Sequence, residues 1–172
     1  MLIWFKRGEN QQLTYAQLNA RANQLARHLQ TLGVGPEVLV GICVERSLNM
    51  VIGISGVLKA GAAYLPLDPA YPKKRLTFKL EEAQVPLLSA QNHLVEMLPQ
   101  PKVPVVCVDS EWETIATQSE DILPSEVIPQ NLAYVMYTSD STGTPKEVQI
   151  PHTSLWYYVE SSQLLQSVEA QA

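Results

Sequence analysis

Val38–Val44 is an unbroken apolar run of strand length, rich in β-branched residues. A strand with no polar alternate has no face to give to water, so it fits a position covered on both sides, as in parallel sheets. Further strand-like segments follow at Ala63–Leu67, Pro86–Ser89, Val103–Val108, Leu132–Tyr137 and Glu147–Ile150. Most of them are separated by stretches with helical spacing. That alternation predicts an α/β fold, a layered and mostly parallel sheet with flanking helices.

The first helix is marked at both ends. Thr14-Tyr15-Ala16-Gln17 fits a capping box, with Leu13 and Leu18 placed to close a hydrophobic staple over it. Leu18, Ala22, Leu25, Leu29 and Leu32 then recur at spacings of four and three, one apolar helix face. Gly33 supplies the stop, and Gly35-Pro36 a turn. Before this helix, Leu2–Phe5 and Gln12–Leu13 flank the turn-like Arg7–Asn10 and predict a short hairpin. Later helices are expected over Leu48–Ala60, from Pro72 to about Ala83, weakly around Gln91–Leu98, briefly after Trp112, and over Thr153–Gln166. Between Trp112 and Gln130 the pattern decays into a surface loop. No internal repeat or low-complexity tract interrupts the chain.

Composition narrows the function. The 172 residues suit one domain, long enough to bury roughly 70% of the unfolded surface. Twelve Lys and Arg against 17 Asp and Glu argue against nucleic acid or an anionic membrane as partner. Met50–Leu67 carries a single charge, Lys59, yet its glycines, with Gly61 as a helix stop, and Pro66 read as a buried helix followed by a buried strand, not a membrane span. Cys43 and Cys107 lie in apolar runs with no CxxC, which points to core thiols and a reducing cytoplasm. His28, His93 and His152 form no metal-ligand spacing, and the basic cluster Lys73-Lys74-Arg75 reads as a solvated helix start. Asp109 sits at a strand end, where α/β sites gather. Trp156, Tyr157 and Tyr158 form an aromatic patch open to exposure.

The chemistry concentrates in Leu132-Ala133-Tyr134-Val135-Met136-Tyr137-Thr138-Ser139-Asp140-Ser141-Thr142-Gly143-Thr144-Pro145-Lys146. An apolar strand ends abruptly in hydroxyl residues, a glycine and a lysine. Hydroxyls and exposed N–H groups on a tight turn make a concave donor surface for phosphate oxygens, and the lysine adds positive charge. The spacing is not that of a Walker A loop. A polar turn between two strands is the plain alternative.

This stretch resembles the phosphate-loop signature of adenylate-forming enzymes, above all the adenylation (AMP-binding) domains of nonribosomal peptide synthetases. Three more segments match in the same order: Leu13–Asn19, Leu58–Asp68, and Tyr71-Pro72 with Arg75-Leu76. The resemblance runs from about Leu13 to Val159. It implies the N-terminal subdomain fold of that superfamily. It also implies binding of Mg2+-ATP and an amino or other carboxylic acid, formation of an acyl-adenylate with release of pyrophosphate, and later transfer to a carrier thiol. By position, Thr138, Ser139, Ser141, Thr142, Gly143 and Lys146 would hold the β- and γ-phosphates, with no catalytic side chain and no metal ligand assigned. Such chemistry rests on positioning and charge stabilisation.

Two acidic residues depart from the family pattern. Asp140 and Glu147 stand where the family has glycine, and Thr144 stands where a lysine is common. A carboxylate about 4 Å from a phosphate charge costs on the order of 4 kcal/mol at an effective dielectric near 20. ATP binding is therefore expected to be weak. Motifs for the adenine, the acid pocket and the magnesium ion, and the C-terminal subdomain, have no counterpart in residues 1–172. The expectation is a truncated and degenerate N-terminal portion of an adenylation domain, with little activity alone. The alternatives are a split-enzyme subunit completed by a separate polypeptide, or a non-enzymatic module that binds a synthetase.

Overall fold

The computed structural model describes residues 2–4, 12–99, 102–138 and 145–169. β1 (Leu2–Trp4) and β2 (Gln12–Thr14) pair antiparallel, as the hairpin reading expects; its turn lies outside the described residues. The capping box of α1 (Tyr15–Thr31) forms: the Gln17 amide donates to Thr14 Oγ1 at 3.1 Å, and the Thr14 amide to Gln17 Oε1 at 2.9 Å. Leu13 and Leu18 both join the core beside this cap.

The main sheet holds β3 (Leu39–Cys43), β4 (Ala63–Pro66), β5 (Leu87–Ala90), β6 (Val105–Cys107), β7 (Leu132–Thr138) and β8 (Lys146–Pro151). Their order is β6-β5-β3-β4-β7-β8. All neighbours run parallel except β7 and β8. Between β3 and β4 runs α2 (Leu48–Lys59), and between β4 and β5 runs α3 (Lys73–Glu82). β4 and β5 lie on opposite sides of β3, and the two helices cover opposite faces. Alternation in β3 shows the division. Val40 and Ile42 enter the core with α1 and α2, whereas Cys43 enters the core with Leu76 of α3. Both cysteines are free and buried.

Three helices end in the same way. After α1 the Val34 amide donates to Leu29 O and the Gly33 amide to Gln30 O, with Gly33 at φ +84°. After α2 the Ala62 and Gly61 amides donate to Val57 O and Leu58 O, with Gly61 at φ +93°. Both are Schellman stops, and glycine takes the left-handed residue at no steric cost. After α3 the same bonds form around Gln84, at φ +46° without a glycine.

Several boundaries shift from the sequence reading. Leu32 is 47% exposed, because α1 stops at Thr31 and the stripe loses its face there. Pro72 is the N-cap of α3, one position before the helix. The segments after β5 and β6 form single turns, α4 (Asn92–Val95) and α5 (Trp112–Ile115). The last helix, α6, spans His152–Glu169. No helix among the described residues is long and apolar enough to cross a membrane.

The loop from α5 to β7 is tied down by buried polar side chains of α1. Gln24 Nε2 donates to Ala116 O at 2.9 Å, and Asn23 Nδ2 to Glu120 O at 2.6 Å. Glu37 does the same for the start of β7. It occupies a turn closed by Val38 N–H on Gly35 O, with φ +62°, and its Oε1 accepts from Asn131 Nδ2 at 2.7 Å.

Candidate functional site

β7 leaves the sheet at Thr138 and β8 begins at Lys146, and these two residues pair directly across the ladder. Thr138 Oγ1 also donates to the Lys146 carbonyl at 3.4 Å. The strand pair therefore pins both ends of the segment that the sequence marks for phosphate. Because β7 runs parallel to β4, that segment leaves at the carboxyl edge of the sheet, where open α/β folds place ligands. Of the six residues assigned to phosphate, Thr138 and Lys146 are brought together here. Ser139, Ser141, Thr142 and Gly143, with Asp140 and Thr144, lie outside the described residues.

Side chains alternate on the two strands. Thr138 and Lys146 share one face with Met136 and Val148, and all four are exposed. On the opposite face lie Tyr137, Glu147, Val135 and Gln149. Tyr137 is buried there against the α3 layer, edge-on to Phe78 at 6.3 Å. The Lys79 ammonium lies 5.8 Å from its ring and 5.1 Å from Tyr71, which also carries the Arg75 guanidinium at 4.1 Å. Burial, then the Arg75 charge, lowers the Lys79 pKa. Arg75 is thus a packing residue on Tyr71 and only partly solvated, unlike the exposed Lys73 and Lys74. The Tyr137 hydroxyl donates to Glu147 Oε2 at 3.2 Å. Burial first, and the Glu147 charge second, push that phenol up to about 12, so it holds its proton at neutral pH.

A second feature occupies the same edge. A cleft of about 1130 Å³ opens at the ends of β3 to β6, lined by Arg21, Arg46, Tyr64, Asp68, His93 and Trp112 among others. Its acidic groups are engaged locally. Asp109 accepts the Asn92 and Ser110 amides at 2.9 and 2.8 Å, Asp68 the Ala70 amide, and Glu45 faces His93 at 3.7 Å. Asp109 is therefore a cap for α4. The sequence places it at a strand end but does not reveal its partner, since the strand ends that build the cleft are far apart in the chain.

Among the described residues no group of three or more His, Cys, Asp and Glu could hold a metal ion, so no residue here is assigned to Mg2+. Thr138 and Lys146, by contrast, bring a hydroxyl and a basic side chain to one exposed face at the base of the segment. His152 lies at the start of α6, and its ring Nε2 is buried without a hydrogen-bond partner. Trp156, Tyr157 and Tyr158 on that helix are 56–71% exposed.

An open, mostly parallel α/β sheet of this strand order, with helices on both faces, is the architecture of the N-terminal subdomains of adenylate-forming synthetase enzymes. The chain belongs to the AMP-binding enzyme family, whose pattern it matches over residues 1–171. Tyrocidine synthase 3 of Brevibacillus parabrevis is 50% identical over 146 residues, 84% of this chain and 2% of that protein. Among solved structures, the nonribosomal peptide synthetase FmoA3 bound to α-methyl-L-serine-AMP superposes with TM-score 0.76 at 34% identity, covering 84% of this chain and 16% of that one. The N-terminal subdomain of Klebsiella oxytoca NpsA gives 0.71 at 25% identity, covering 84% and 36%. The chain thus corresponds to part of a synthetase adenylation domain and spans a small fraction of the curated relatives it matches.

Proposed function

We propose that this chain supplies the phosphate-loop portion of a site that joins an amino acid to ATP, giving aminoacyl-AMP and pyrophosphate for nonribosomal peptide assembly. The observation that carries this reading is the Thr138–Lys146 pair, which closes the base of the hydroxyl-rich loop at the sheet's carboxyl edge. Thr138, Ser139, Ser141, Thr142, Gly143 and Lys146 would contact the β- and γ-phosphates, and Mg2+ would enter with the nucleotide. Two buried free thiols suit a reducing, cytoplasmic setting.

Nucleotide binding is weak in this reading because Asp140 brings a carboxylate to the loop. With solvent halving the interaction, the penalty is about 2 kcal/mol, or roughly thirtyfold in affinity. Residues 1–172 alone form little aminoacyl-adenylate, since the sequence holds no counterpart of the adenine and acid-binding motifs. Thermal unfolding with and without Mg2+-ATP tests the first statement, and amino-acid-dependent ATP–pyrophosphate exchange by the chain alone tests the second. Binding to the folded state raises the midpoint. The Asp140→Gly protein should show a clear rise and the unmodified chain a small one. No rise in either protein would remove the nucleotide-binding reading.

The exposed aromatic face of α6 favours one second reading, in which a further portion of the domain, supplied for the test as a companion polypeptide, covers it. ATP–pyrophosphate exchange that appears only on mixing with such a chain would establish it, and no exchange on mixing would end it.

A further inference from the structure

Glu147 occupies a position where a carboxylate beside the phosphate loop should repel the nucleotide. Its geometry gives it another role. Strand alternation turns its side chain to the α3 face, away from the face that Thr138 and Lys146 share. There the carboxylate has two partners. Oε1 accepts from Gln149 Nε2 at 2.6 Å, and Oε2 accepts from the Tyr137 hydroxyl at 3.2 Å. Tyr137 is itself fixed, 8% exposed, with Phe78 and the Lys79 ammonium of α3 against its ring. The carboxylate therefore links β8 through Tyr137 to the helix layer, one residue before the loop's closing pair. Gln149 holds the same carboxylate from two positions further along β8.

We infer that Glu147 is a positioning residue: it clasps the base of the phosphate-loop hairpin to α3 through Tyr137, and it acts as a hydrogen-bond acceptor, not as a charge that opposes phosphate. The inference rests on the nucleotide reading above for its consequence, but the clasp itself can be observed without nucleotide. Loss of one such bond is expected to weaken Mg2+-ATP binding about fivefold, within the range of a single hydrogen bond.

The test uses the Asp140→Gly chain, where the nucleotide response is largest, with Glu147→Gln, Glu147→Gly and Tyr137→Phe added singly. Glutamine keeps an acceptor and removes the charge. Phenylalanine removes only the hydroxyl and leaves the strand residue at 147 intact. The clasp predicts that Glu147→Gln binds Mg2+-ATP within about twofold of its parent, while Glu147→Gly and Tyr137→Phe each bind about fivefold more weakly. Tighter binding by both Glu147→Gln and Glu147→Gly would overturn it, because that pattern marks repulsion. Amide hydrogen exchange without nucleotide gives the independent arm. Residues 146–149 should exchange faster in Tyr137→Phe and at the parent rate in Glu147→Gln. Equal rates in all variants would refute the clasp. The expected exchange pattern with no nucleotide response anywhere would uphold the clasp and remove the nucleotide reading instead.

Discussion

The sheet has two unlike halves. From β3 to β6 it is covered on both faces. Val40, Leu88 and Ala90 are 0% exposed, and two cores meet back to back across the strands. From β7 outward the described residues cover only one face. Ala133, Val135 and Tyr137 are buried on that face, while Met136 and Val148 on the other are 44% and 38% exposed. β8 forms the edge, and its residues Lys146–Gln149 are exposed in succession. The difference separates two duties. The first half carries the burial that holds the fold, and the second carries the loop on a strand pair supported from one side.

The largest expected contrast comes from truncating one side chain in each half. Leu25→Ala, at a fully buried site between α1 and the core, should cost about 2–5 kcal/mol in urea unfolding. Val148→Ala should cost less than about 1 kcal/mol, in proportion to the little area it buries. Equal losses would dissolve the contrast.

Alkaline pH probes the covered half from within. Burial, with Asp68 as a lesser cause, raises the Cys43 thiol from 9.0 to about 11. Between those values the unfolded chain gives up the proton and the folded chain keeps it, so the folded state binds more protons. Stability is therefore full below pH 9 and falls as pH rises towards 11, by about 2–3 kcal/mol. Urea midpoints from pH 8 to 11 should decline in the parent and much less in Cys43→Ala. An undiminished decline in the variant would assign it elsewhere.

Gly56 sharpens the picture at the α1–α2 contact. A Cβ there would stand 2.6 Å from Leu25 Cδ2. Helix propensity alone favours alanine at a helical glycine by up to about 1 kcal/mol. Overpacking should win, and Gly56→Ala is expected to destabilise by about 1–3 kcal/mol in the same urea assay. The smallest effect belongs to the open half. Trp156→Ser with Tyr157→Ser should leave the unfolding midpoint within about 0.5 kcal/mol and reduce self-association in sedimentation, since both rings face solvent. A marked loss of stability would show that α6 holds the fold.

Local signals were legible in the sequence and long-range ones were not. Thr14 and Gln17 announce the start of α1, and Gly33 and Gly61 announce two stops, because caps depend on residues within a few positions of one another. Gln84 gives no such warning at the third stop, since the bonds that end α3 do not require a glycine when Val85 is drawn into the core. Leu32 keeps the helical spacing after the helix has ended. At the loop, residue types named the phosphate chemistry, but the orientation of Glu147 depends on the register of β8 against β7. Read by identity it is a misplaced charge; read by register it faces Tyr137 on the far side of the ladder. The cleft needs four strand ends that only the topology gathers.

The strand order also sets a timetable. β3 is the first strand of the main sheet to appear in the chain, and it lies inside that sheet. β4 and β5 then join its two sides, β6 joins β5, β7 joins β4, and β8 joins β7. Each strand after β3 therefore has a neighbour that precedes it in the chain, and only β3 waits for later ones. Synthesis proceeds from the N-terminus at about 5–20 residues per second, and chains fold in units as they emerge. The loop-bearing hairpin, arriving after the four strands from β3 to β6, docks on a template instead of helping to create it. Variation in the loop is accordingly insulated from the steps that establish the fold.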